Sequence, residues 1–163
     1  MCINLITDIK DEKIIKEFDC EEDTMNEFLK DFALTYNKTG EGITHVLLDE
    51  EYNKLVGYYT LKCNALQSEA TDNEKCVIPA VEISRFAIHK DYQHKGNGQL
   101  LLADAIANIK KISSLLGVKM VFLYSLPDAE KFYDDFGFNY LSPSYKKLEC
   151  EDSVFPAMYI LLN

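Results

Sequence analysis

The chain has 163 residues, 47% of them hydrophobic, with four prolines and a formal net charge of −10. That length suits one domain able to bury about 70% of its unfolded surface. The composition argues against a disordered chain and against a polybasic nucleic-acid arm, and no apolar run reaches the roughly 18–20 residues of a membrane span.

The charge is uneven. Residues 1–80 carry 17 acidic against 8 basic side chains, residues 81–163 carry 10 against 9, and Arg85 is the single arginine. Such a surface keeps a protein soluble and repels nucleic acid. The five cysteines are far apart, odd in number and without CxxC spacing, so reduced thiols are expected, with neither a disulfide framework nor a zinc site. The N-terminal MCINLITDIKDEK lacks a signal-peptide core, which makes a cytoplasmic location the expectation.

In chain order, INLIT alternates as a first strand. EEDTMNEFLKDFALTY places Met25, Phe28, Leu29, Phe32 and Tyr36 on one helical stripe, with Glu22 or Asp23 as N-cap. ITHVLL and LVGYYTLKCNAL are β-rich runs joined by the turn-like DEEYNK, a hairpin signal. TDNEK reads as a polar loop and VEISRFAI as a strand. A helix over 98–116 turns Leu101, Leu102, Ala105, Ile109, Ile112 and Leu116 inward and stops at Gly117. VKMVFLY is the next strand, PDAEKFYDDF a helix opened by Pro127 and closed by Gly137, and AMYILL a last strand. The strand–helix–strand between 81 and 124 is a βαβ core, and the whole of 1–163 reads as a single mixed α/β domain.

The loop QHKGNGQ, entering the long helix, is where chemistry is expected. Unsatisfied N–H groups and the positive end of the dipole make a helix N-terminus an anion site, and glycines let phosphate oxygens come close. Lys95 adds charge. Two other phosphate loops are ruled out: no GxxxxGK[ST] string exists, and Leu101 stands where a dinucleotide fingerprint needs its third glycine.

Gln93-x-x-Gly96-x-Gly98, following RFAI and opening a long helix, resembles the Q/R-x-x-G-x-G/A signature of the GNAT N-acetyltransferases. Ala129-x-x-Phe132-Tyr133-x-x-Phe136-Gly137-Phe138 is similar to the second motif of that superfamily, in the expected order. The resemblance covers residues 81–140. It implies a mixed, mostly antiparallel sheet flanked by helices, and acetyl-CoA as cosubstrate with no metal. The pyrophosphate would lie on Gln93, His94, Lys95, Gly96, Asn97, Gly98 and Gln99, and the pantetheine arm along the backbone of Phe86, Ala87 and Ile88.

Acetyl transfer to an amine needs a held thioester, a neutral amine, a stabilised oxyanion and a proton for the departing thiolate. By the same resemblance Tyr133 supplies that proton, since a phenol near pKa ~10 stays protonated at neutral pH. Glu82, eleven residues before Gln93, matches the glutamate base of the histone acetyltransferase branch; a solvent-facing glutamate and a water base are the alternative. A lysine amine is neutral in only about one molecule in 2,500 at pH 7, an α-amino group in roughly a tenth. His45, His89 and His94 show no metal spacing, and either Tyr58 or Tyr59 is expected to face the acceptor.

FDCEEDTMNEFLKDFA, LVGYYTLKC and IPAVEISRFAI together look like the GNAT branch of tRNA-acetylating toxins that pair with small antitoxins. The acidic balance, the lone Arg85 and Gln99 in place of a frequent arginine depart from that branch. The first expectation is therefore acetylation of an unidentified primary amine. Toxin-like action on aminoacyl-tRNA and a non-catalytic acyl-CoA-binding module are the alternatives. No membrane partner is expected, and strands after the βαβ core are compatible with a homodimer.

Overall fold

The computed structural model describes residues 1–69, 75–147 and 155–162. They form a mixed, mostly antiparallel sheet of eight strands with helices, in which the strands Lys75–Ile88 and Met120–Tyr124 pair in parallel. Most of the polar stretch TDNEK, and Cys150, lie outside the described residues. The chain divides into two compact units, Met1–Lys62 with Ser84–Ala105, and Cys63–Ile83 with Ile106–Asn163.

In the first unit β1 (Cys2–Leu5), β2 (Ile43–Asp49), the start of β3 (Lys54–Glu69) and the end of β4 (Lys75–Ile88) follow one another as neighbours. The β2–β3 hairpin is the one read from ITHVLL and LVGYYTLKCNAL, with a register shift at Leu47/Leu48. A short helix α1 (Glu12–Lys16), unanticipated, adds Ile14 and Ile15 to a core of Phe18, Phe28, Leu29, Val46 and Tyr58.

The expected single helix is three pieces: α2 (Asp23–Glu27), a π turn (Phe28–Phe32) and α3 (Ala33–Thr39). Glu22 is the N-cap, as read, although its side chain makes no capping bond. The Ala33 amide bonds to the Phe28 carbonyl, five residues back, so one extra residue enters the turn. That slip moves the inward stripe by one position. Phe32 is 52% exposed and Ala33 is fully buried in its place, while Phe28 still meets Tyr36 edge-on at 5.3 Å.

Gly57 of β3 is where two backbones crowd. A Cβ there would lie 2.6 Å from Ile88 Cδ1 and 2.8 Å from the Ala87 carbonyl oxygen, distances that real side chains do not adopt. Only glycine lets β3 pass the end of β4 this closely.

Helix α4 (Asn97–Ser113) buries Leu101, Leu102, Ala105 and Ile109 as expected, but it stops four residues short of Gly117. The Ser113 and Ser114 hydroxyls bond back to the Lys110 and Lys111 carbonyls at 2.9 and 2.7 Å, competing with the helix's own ladder. Ile112 and Leu116 are consequently exposed, and Gly117 is not left-handed.

In the second unit β5 (Met120–Tyr124) lies parallel to β4 over Ala80–Glu82 and antiparallel to β8 (Ala157–Leu161). Two short strands were missed: β6 (Asn139–Tyr140), paired with β8, and β7 (Tyr145–Lys147), paired with β3. Helix α5 (Glu130–Asp135) has Ala129 as its N-cap, so Pro127 sits in the preceding turn; Gly137, at φ +98°, is the left-handed residue that ends it. Leu66, Ile78, Ala80, Met120 and Phe122 form this unit's core.

Candidate functional site

The glycine loop belongs to the first unit. From the end of β4, His89 begins a 3-10 turn (Lys90–Tyr92), its Nδ1 accepting the Asp91 amide at 3.2 Å. Burial lowers the His89 pKa, so the imidazole is held neutral as this acceptor. Gln93 then ties the loop down, donating to the Ile88 carbonyl at 3.1 Å and the Cys20 carbonyl at 3.4 Å. His94 and Gly96 are both left-handed, at φ +56° and +83°. Such turns aim successive N–H groups into one concavity that suits anions.

Asn97 opens α4 as a buried residue, its side-chain amide donating to the Tyr92 carbonyl at 2.9 Å. Gln99 folds back, its Oε1 being the atom nearest the open side of Gly96. Lys95 turns its ammonium onto the Asp91 carbonyl at 2.7 Å. A 17-residue helix with a left-handed glycine before its first turn fits the pyrophosphate of an acyl-CoA.

Phe86, Ala87 and Ile88 form the last turnless stretch of β4 before this loop. Ala87 is buried, whereas Phe86 and Ile88 are half-buried, and the register with β5 ends earlier, at Glu82.

Glu82 and Tyr133 belong to the second unit. The Glu82 side chain is 7% exposed and forms an ion pair with Lys147, Nζ to Oε1 at 2.5 Å. Its other oxygen accepts from Asn64 Nδ2 at 2.9 Å. Tyr133 is 6% exposed, edge-on to Phe132 at 5.1 Å and to Phe138 at 5.7 Å. Burial pushes its phenol further above the usual tyrosine value, which keeps the proton on oxygen throughout the neutral range.

Neither tyrosine of the YY pair is exposed. Tyr58 donates to the Met25 carbonyl at 2.8 Å inside the first core, and Tyr59 donates to Asp104 Oδ2 at 2.6 Å with His45 stacked on its ring. Arg85 lies over the Phe28 ring at 4.9 Å and donates to the Ser84 carbonyl at 2.7 Å. Among the described residues no three His, Cys, Asp or Glu side chains converge as metal ligands, and no helix is long and apolar enough to cross a membrane.

The model of the acetyltransferase (GNAT) domain matches residues 6–152. The chain belongs to the GNAT acetyltransferase family. Its chemistry is therefore N-acetyl transfer, with acetyl-CoA as cosubstrate. This GNAT chain is 25% identical, over 83% of its own length and 84% of the other's, to a tRNA-acetylating toxin of Mycobacterium tuberculosis. It is also similar to a mutant AtaT toxin bound to the C-terminus of the antitoxin AtaR and acetyl-CoA: 25% identity, TM-score 0.79, covering 98% of this chain and 92% of that one. Similarity to AtaTR bound with acetyl-CoA is at 26% identity and TM-score 0.75, with the same coverage.

Two residues that hold Glu82 in this GNAT chain escaped the sequence reading. Asn64, a polar residue inside the apolar run KCNAL, carried a readable signal. Lys147 did not, because nothing in SYKK sets one lysine apart from its neighbour.

Proposed function

We propose that this acetyltransferase modifies the α-amino group of aminoacyl-tRNA, the reading that stood second on sequence grounds. The observation that carries it is the Lys147–Glu82–Asn64 cluster. A carboxylate held in a buried ion pair is poorly placed to take a proton from a lysine-type ammonium. An α-amino group, neutral in roughly a tenth of molecules at pH 7, needs only water as base. The similarity to a tRNA-acetylating toxin supports the same acceptor.

In this reading the loop residues Gln93, His94, Lys95, Gly96, Asn97, Gly98 and Gln99 bind the pyrophosphate. The backbone of Phe86, Ala87 and Ile88 orients the pantetheine arm as an added strand would. Tyr133 donates its proton to the departing thiolate, and Glu82 positions Lys147. A small partner protein akin to an antitoxin belongs to the proposal on the strength of the AtaR complex.

The net charge of −10 and an arginine already engaged favour a second reading, a small cationic amine as acceptor. Release of coenzyme A thiol, measured with charged tRNA, the same tRNA after deacylation, polyamines and peptides, separates the two. Turnover confined to charged tRNA is expected. Faster turnover of polyamines would replace this reading with the second.

A further inference from the structure

Around Glu82 the second unit has built the chemistry that recognises an ammonium ion. The buried carboxylate is held by Asn64 at 2.9 Å, and the faces of Tyr124 and Phe122 lie 4.8 and 5.8 Å from the same cation. A carboxylate flanked by aromatic faces is a preferred seat for alkylammonium groups. Here the seat is filled from within, by Lys147 of β7, whose backbone is held opposite Leu66 of β3.

A lysine whose sole task was to neutralise Glu82 would not need two rings beneath it. We propose that Lys147 is a specificity-determining residue: it occupies the ammonium subsite formed by Glu82, Asn64, Phe122 and Tyr124, and so refuses alkyl amines that arrive protonated while admitting amines that arrive neutral. The proposal rests on the acceptor reading above and deepens it. Like-charge juxtaposition is a standard way to reject a wrong partner, and removing it relaxes selectivity.

The test compares wild type, Lys147→Gln, Lys147→Arg and Lys147→Ala, with 1,4-diaminobutane as acceptor and propylammonium as a non-acceptor probe of stability. Gln keeps a donor to Glu82 without charge, so it preserves the fold where Ala would leave the buried carboxylate with Asn64 alone. Wild type and Lys147→Arg should leave the diamine at background. Lys147→Gln should raise its kcat/KM by about tenfold or more, as expected for loss of a like charge. Lys147→Ala should be stabilised by propylammonium in a saturable way that wild type does not show.

A folded Lys147→Gln that treats the diamine as wild type does would overturn the proposal and leave Lys147 a structural ion-pair partner. The acceptor reading fails separately. If wild type ignores aminoacyl-tRNA yet Lys147→Gln gains the diamine, the gate stands and the tRNA reading falls. If wild type acetylates the diamine outright, both fall.

Discussion

Lys90 is tied to Asp19 twice, amide to carbonyl at 2.9 Å and ammonium to carboxylate at 2.7 Å. The pair pins the start of the glycine loop to the segment just ahead of α2. The Lys90 ammonium, then the Glu21 amide and the Asn26 side chain, hold the Asp19 carboxyl well below the ordinary value near 3.8. A depressed folded-state pKa contributes stability that is present above the ordinary carboxylate range and is lost as pH falls through the folded value. Titration of the Asp19 carboxyl by NMR should therefore find it still ionised at pH 3.8, and Asp19→Asn should flatten the acid limb of the thermal-stability profile. A midpoint at or above the ordinary value would remove the double tie from the account.

Tyr133→Phe deletes one hydroxyl and keeps the ring against Phe132 and Phe138. The expected outcome is a fall in kcat of about 100-fold or more, typical of a lost general acid. The thermal shift produced by acetyl-CoA should be unchanged. An activity loss of less than about threefold would assign the proton to another donor.

Gly96→Ala tests the backbone of the loop. The added methyl meets only Gln99 Oε1, at 3.7 Å, so crowding is not the issue. The left-handed φ of +83° is: for an L-residue it costs roughly 1–2 kcal/mol. Acetyl-CoA affinity, measured by calorimetry, should weaken by about tenfold, the equivalent of about 1.4 kcal/mol. Gly96→Asn should be milder, because asparagine tolerates this region. Equal effects of the two would point to the side chain instead.

The π turn makes neighbouring residues behave oppositely. Phe32→Ser should change urea-denaturation stability by less than about 1 kcal/mol, since about half of Phe32 is already in water. Ala33→Leu, at a fully buried site, should cost about 1–3 kcal/mol through overpacking. A reversed order would mean that the helix runs without the inserted residue.

The parts of the fold that were legible in sequence are those with strong local punctuation. Gln93-x-x-Gly96-x-Gly98 marked a turn and a helix start, and Gly137 marked a helix end. The π turn was not legible, because a stripe of Met25, Phe28, Leu29 and Phe32 presumes 3.6 residues per turn throughout. The early end of α4 was hidden for a related reason. Ile112, Leu115 and Leu116 continue the apolar period, and the serine hydroxyls that break the ladder look like ordinary helix-surface residues. At the candidate site, the residues proposed to act through backbone or motif position stand in a recognisable local pattern, whereas the Glu82–Lys147 pair joins positions 65 apart and had no local trace.

Gly57 sits in the hairpin, some thirty residues upstream of the loop, and is not among the residues proposed to hold coenzyme. Yet any side chain there must push on Ala87 and Ile88. A survey that ranks positions by distance to ligand would pass over it, and a random-mutagenesis screen for lost coenzyme affinity should return it. The track along which the coenzyme is proposed to lie is therefore ruled from the strand behind it, by the absence of an atom.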